Sequence, residues 1–197
     1  MKILGISGSV KRPSRTAHLV EQIVAAIART ADVKTGHLDL AESAPVLFRA
    51  LRADQLDDAG RAIVDSVEAA DVLVVGSPVY RASYTGALKH LFDLVDFRAL
   101  QGRRVILAAT GGTPLHGLML EHQFRPLFGF FGAVTVPTTV YAVEADFTEY
   151  TLTNTIVEAR IERAVSELFD LLPGAAPAAG DLTNPGLRLV AGDAATN

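Results

Sequence analysis

The sequence predicts an α/β protein with a five-stranded parallel sheet between layers of helices, on two observations. Short apolar runs of strand type alternate along the chain with longer segments of helical period, the pattern of a parallel sheet with crossover helices. The 197 residues are 49% hydrophobic, which is enough for one sizeable core and short for two.

The elements follow in order. KILGIS (2–7), VKTGHLDL (33–40), VLVVGS (72–77), RVILAAT (104–110) and VTVPTTVYA (134–142) read as strands. Between them HLVEQIVAAIA, LDDAGRAIVDSVEAA, GALKHLFDLV and LHGLMLEHQFRPLFGFF carry helical periodicity, and a last helix is expected from about residue 151 to 172. This alternation suggests the flavodoxin-like three-layer sandwich with strand order 2-1-3-4-5. One domain is expected over residues 1–172. Beyond it the composition turns to PGAAPAAGDLTNPG, so residues 173–197 are expected to form a flexible or extended tail.

The formal charge of -4 argues against a general nucleic-acid or membrane-surface role, which needs a broad excess of Lys and Arg. There is no cysteine, which excludes disulfides, thiolate metal sites and cysteine nucleophiles. No apolar run approaches the ~20 residues of a membrane span. The expectation is a soluble, cytoplasmic protein.

In an open α/β sheet, ligands sit beyond the carboxyl ends of the strands. The loop after the first strand, GISGSVKRPSRTAHL, combines Gly8, the hydroxyls of Ser7, Ser9, Ser14 and Thr16, and the cations Lys11, Arg12 and Arg15, with His18 as a further candidate. It opens a helix whose free N–H groups favour an anion, so it reads as a phosphate cradle. It lacks the Gly-Lys-Ser/Thr of a Walker loop and the Gly-x-Gly-x-x-Gly of dinucleotide folds. Taken alone, it also reads as a solvated turn with Ser14 as an ordinary helix cap. The third strand ends in GSPVYRASYTGALK, where Pro78 and Tyr80 offer a stiff, flat surface. The fourth ends in ATGGTPLH, where Gly111 and Gly112 leave amides bare for a heterocycle edge. Taken singly, the loop after the third strand also reads as common turn chemistry and that after the fourth as a flexible connection. Together the three loops describe a site for a mononucleotide with a flat ring.

GSVKRPSRT, SPVYRASYTGALKHLFDLV and ALQGRRVILAATGGT, in this order and spacing, resemble the NAD(P)H-dependent FMN reductases of the flavodoxin-like superfamily. The likeness is greatest to those serving alkanesulfonate and methanesulfonate monooxygenases. It implies that Ser9, Ser14, Arg15 and Thr16 meet the FMN phosphate, that Pro78, Val79 and Tyr80 lie against the isoalloxazine, and that Thr110, Gly111 and Gly112 meet its pyrimidine edge, with His116 nearby. Lys11 stands where the family has arginine; it keeps the charge and loses the planar fork. Hydride passes directly between stacked nicotinamide and flavin rings, so no catalytic acid or base is nominated. No histidine has metal-binding spacing, and no metal is expected.

In the helix expected at 115–131, Leu115, Leu118, Met119 and His122 line one side, and Leu120, Phe124, Leu127, Phe128 and Phe131 line nearly the opposite one. One sheet cannot cover both, so a subunit interface is expected, the alternative being a helix that is deeply buried or bends. Pro126 has no N–H for the carbonyl of residue 122, and a widened turn at His122 would relieve this. The resemblance implies a π-helix there, near a subunit contact, associated with FMN acting as an exchangeable substrate, and a tetramer or dimer.

The expected function is reduction of free FMN by NADH or NADPH, with reduced FMN passed to an FMNH2-dependent, sulfonate-type monooxygenase. A second reading is a flavoprotein that retains FMN and reduces quinones, azo dyes or metal oxyanions. An electron-carrier flavodoxin fits less well, because such carriers are strongly acidic and this chain is mildly so.

Overall fold

The computed structural model describes residues 1–172; the tail expected at 173–197 lies outside them. Strands β1 (Lys2–Ser7), β2 (Lys34–Asp39), β3 (Val72–Pro78) and β4 (Arg104–Gly111) pair in parallel, followed by β5 (Val134–Thr135) and β6 (Val140–Val143), which both pair with β4. The order is β2-β1-β3-β4-β5, the flavodoxin-like arrangement that the sequence predicts.

The expected fifth strand is broken. Val105 faces Thr135 while Ala108 faces Val140, so two more residues run along the edge strand than along β4. Pro137 sits in this excursion and cannot donate to a ladder. The neighbouring Thr138 donates its N–H (2.7 Å) and its hydroxyl (2.8 Å) to the Glu167 carboxylate instead.

Helices α1 (Arg15–Thr30) and α6 (Thr155–Asp170) cover one face; α2 (Leu40–Leu47), α3 (Asp58–Glu68), α4 (Gly86–Leu94) and α5 (Arg125–Phe130) cover the other. Strand residues alternate between the two cores: Ile3, Val74 and Ile106 face α1 and α6, while Leu4, Val75 and Leu107 face the opposite layer. The short α2 is absent from the sequence reading, which places a strand up to residue 40. Its start is local chemistry, because Asp39 closes β2 and its carboxylate accepts from the Ala41 N–H at 2.9 Å. The last helix begins at Thr155 rather than 151, capped by Asn154; the preceding residues form the hairpin β7 (Phe147–Thr148) and β8 (Thr151–Leu152).

The segment expected as one helix over 115–131 has three parts: a 3₁₀ segment (Pro114–Leu118), a π-helix (Leu120–Phe124) and α5. The Arg125 N–H reaches back to the Leu120 carbonyl, the five-residue spacing of a π turn. His122 lies inside the widened turn and Pro126 just after it, in the first turn of α5. Of the two apolar sides, Leu120, Phe124, Phe128 and Phe131 are buried. On the other, Met119 is buried, whereas Leu115 and Leu118 are 78% and 59% exposed and His122 is also exposed.

Close packing sets where the site falls. A Cβ on Gly5 would lie 2.8 Å from Val20 Cγ1, and one on Gly76 would overlap Val20 Cγ2. These bare positions let α1 rest directly on β1 and β3, which brings the start of α1 against the end of β4.

Candidate functional site

The carboxyl ends of β1, β3 and β4 meet in an open cleft of about 220 Å³, lined by Ser9, Lys11, Pro13, Ser14, Arg15, Thr16, Pro78, Val79, Tyr80, Thr110, Gly111, Gly112, Glu144 and Tyr150. Eleven of the twelve ligand-binding positions expected from the sequence are in this wall. The exception is His116, which is exposed on the 3₁₀ segment with its Cβ close to Gly111.

The first loop is held by its own hydroxyls. Ser9, 2% exposed, donates its hydroxyl to the Lys11 carbonyl at 3.2 Å and accepts from the Lys11 N–H at 3.5 Å. The Gly8 N–H donates to the Gly76 carbonyl at 2.7 Å, and the Gly8 carbonyl accepts from the Thr85 hydroxyl at 2.7 Å. Thr85 also caps α4. Ser14 caps α1, accepting from the Ala17 N–H at 3.2 Å, so it lines the cleft while serving as an ordinary cap.

The cation cluster separates. Arg12 turns away to Asp39 (2.8 Å) and Glu42 (2.9 Å), and His18 is absent from the cleft wall. Lys11 and Arg15 remain. Arg15 pairs with Glu144, and its guanidinium carbon lies 5.5 Å from the centroid of the Tyr150 ring. Among the described residues, Arg15 Nε is the only buried side-chain nitrogen or oxygen without a hydrogen-bond partner, so a donor remains to be satisfied beside an anion-favouring helix end.

The second loop is stitched to the third by the Val79 N–H, which donates to the Thr110 carbonyl at 2.8 Å. Tyr80 and Ser83 exchange both backbone hydrogen bonds across Arg81 and Ala82, whose φ values are +52° and +65°. Two consecutive positive φ angles are the geometry of a tight hairpin turn that favours Asn-Gly. In the third loop, Tyr141 of β6 donates its hydroxyl to the Thr113 carbonyl at 2.6 Å. A Cβ at Gly111 would collide with that hydroxyl, and one at Gly117 would come within 3.2 Å of the ring. Burial, with a smaller contribution from the Asp146 charge, pushes the Tyr141 phenol up from its ordinary value, so it acts as a neutral donor.

Pro13, Glu144 and Tyr150 are the cleft residues the sequence reading misses. Glu144 and Tyr150 arrive from the stretch after β6, which the sequence shows only as a connection to the last helix. The β7–β8 hairpin turns through Glu149, at φ +57°, and this carries Tyr150 to Arg15. No sequence period announces such a contact. Among the described residues there is no cluster of three or more His, Asp or Glu able to hold a metal, and no helix is long and apolar enough to cross a membrane.

Comparison with known proteins agrees with this geometry. The sequence model described as NADPH-dependent FMN reductase matches residues 1–148. The FMN reductase (NADPH) of Pseudomonas aeruginosa is 44% identical over 173 residues, covering 88% of this chain and 93% of that protein. The NADH-dependent FMN reductase SfnF of Pseudomonas fluorescens is 42% identical over 189 residues, covering 96% and 97%. Among solved structures, an oxidoreductase from Corynebacterium diphtheriae superposes with a TM-score of 0.76 at 34% identity, over 86% of this chain and 95% of that one. With that match over 148 of 197 residues, and relatives of this identity along nearly their whole length, the chain belongs to the NADPH-dependent FMN reductase family.

Proposed function

We propose that this chain reduces FMN with NADH or NADPH and releases reduced FMN to a separate monooxygenase of the sulfonate type. One observation carries the reading: a single cleft gathers the cations and hydroxyls at the start of α1 (Lys11, Ser14, Arg15, Thr16) together with Pro78–Tyr80 and Thr110–Gly112. That is the donor set a flavin mononucleotide needs, with a dianionic phosphate at one end and a planar heterocycle with a hydrogen-bonding edge at the other.

The α1 terminus and Arg15 would hold the phosphate, Pro78, Val79 and Tyr80 would support the ring, and the amides after Thr110 would meet its pyrimidine edge. A bound flavin would supply the hydride-accepting ring. These residues would orient it, and the open cleft would admit a nicotinamide beside it, as direct transfer requires. Among the described residues Glu144 is the one carboxylate of the cleft wall, and it pairs with Arg15; direct hydride transfer asks for no side-chain acid or base. The relatives of 44% and 42% identity are named for NADPH and NADH respectively, so both nucleotides are proposed as donors.

The exchangeable-substrate reading draws support from the π-helix at Leu120–Phe124 and from the open cleft. Leu115, Leu118 and Phe130, 78%, 59% and 73% exposed, support a homo-oligomer, dimer or tetramer, formed through this segment.

The test is calorimetric and kinetic. FMN binds with micromolar affinity, Arg15→Ala weakens FMN about tenfold or more while changing riboflavin little, and NADH or NADPH is oxidised with many equivalents of FMN turned over per protomer. Yellow colour that survives dialysis, with quinone reduction and no turnover of free FMN, would instead establish a flavin-retaining reductase.

A further inference from the structure

A carboxylate sits in a cleft otherwise suited to an anion. Glu144, in the short 3₁₀ turn after β6, pairs with the Arg15 guanidinium, and both residues line the cleft. Nothing else holds the Glu144 side chain: among the described residues its recorded polar partner is Arg15 alone, and it is 72% exposed. Its neighbour Asp146 does the structural work of the turn, accepting from the Val143 N–H at 2.7 Å and from Asn154 Nδ2 at 2.6 Å. Glu144 is therefore dispensable to the fold and placed on the group that an incoming phosphate would seek.

We infer that Glu144 is an internal competitor for Arg15, a specificity and release element that occupies the guanidinium when the flavin phosphate is absent and weakens the hold on that phosphate when it is present. This deepens the proposed function and rests on Arg15 meeting the phosphate. The guanidinium offers donors on more than one edge. Its Nη2 faces Glu144, whereas Nε is buried and unpartnered. The Tyr150 ring lies alongside and holds the planar group in place while its partners exchange. A phosphate arriving at Arg15 either displaces Glu144 or shares the cation with it, and in both cases the carboxylate lowers net phosphate affinity through competition and like-charge repulsion. A reductase that surrenders its reduced flavin needs such a weakened grip on the phosphate end, since the ring contacts serve the chemistry.

Calorimetric titration of FMN and of riboflavin into the wild-type protein and into Glu144→Gln and Glu144→Ala tests the inference. Expected is tighter FMN binding in both variants, by about threefold to tenfold, with slower FMN dissociation in stopped flow and riboflavin affinity unchanged. Because riboflavin lacks the phosphate, a merely structural role for Glu144 would move both ligands alike. FMN affinity that is unchanged or weaker in both variants, while the wild type binds FMN and Arg15→Ala weakens that binding, overturns the inference and leaves the proposed function standing. No FMN binding by the wild type overturns both.

Discussion

The hydroxyls of Thr16, in the first turn of α1, and Thr110, near the end of β4, lie 2.7 Å apart and are buried at 2% and 9% exposure. This bond ties the start of α1 to the end of β4 in the cleft wall that both residues line, and neither hydroxyl has another partner among the described residues. Thr16→Val or Thr110→Val alone leaves a buried hydroxyl without its partner and is expected to cost about 1–3 kcal/mol. The double substitution removes both polar groups and is expected to be less destabilising than the sum. Urea denaturation of the three variants checks this; strict additivity would show that the hydroxyls do not depend on each other.

Tyr141 props the third loop from beneath, and Gly111 makes room for it. Gly111→Ala places a methyl group against the phenol oxygen and is expected to destabilise by about 1–3 kcal/mol while loosening FMN. Tyr141→Phe loses the bond to the Thr113 carbonyl, at about 1 kcal/mol, and removes the atom in the way. In the double variant part of the Gly111→Ala penalty is relieved, a coupling of about 1 kcal/mol readable in a thermal or urea melt.

What the sequence makes legible is what local pattern encodes. The strands from Lys2, Val72 and Arg104 and the three loops that follow them carry their own signals, apolar runs ending in Gly, Pro, Ser and Thr, and the topology then brings the loops together. A widened turn is legible too, because Pro126 creates a donor deficit inside an apolar helical pattern, whereas the π-helix itself comes from the family resemblance. The break in the fifth strand is not, since Val134–Ala142 is apolar enough to read as continuous and Pro137 is its only warning. Arg12 and Arg15 look alike in the sequence. Only the fold, by placing Asp39 and Glu42 beside one and Glu144 and Tyr150 beside the other, separates a structural cation from a cleft cation.

Arg81 and Ala82 occupy the left-handed region without being glycine or asparagine. Each pays a steric penalty of about 1 kcal/mol or more between Cβ and the backbone. Ala82→Gly removes one such penalty and gives back part of the gain in unfolded-chain entropy, so a net stabilisation of about 0.5–1 kcal/mol is expected in urea denaturation. A loss of stability would mean that the methyl group packs usefully despite its angle.

Glu121, in the π-helix, takes a two-pronged contact from Arg125 at 2.6 and 3.0 Å. Arg125 also donates to the Thr135 hydroxyl and to the carbonyls of Val136 and Pro137, tying the widened turn to the broken edge strand. The Arg125 hydrogen bond is the main cause holding the Glu121 carboxyl below its ordinary value, against the opposing effect of burial. A carboxylate whose folded pKa is depressed stabilises the fold above its unfolded pKa, and that contribution is lost as pH falls through the folded one. Because the pair is partly exposed, solvent screening limits the effect to a few tenths of a kcal/mol, at most about 1. Glu121→Gln is therefore expected to be less stable than wild type at neutral pH, with the gap closing as the medium is acidified past the ordinary glutamate range. Paired urea melts across that range read the gap directly, and a gap that stays constant into acid would assign the role of Glu121 to its shape and hydrogen bonding rather than its charge.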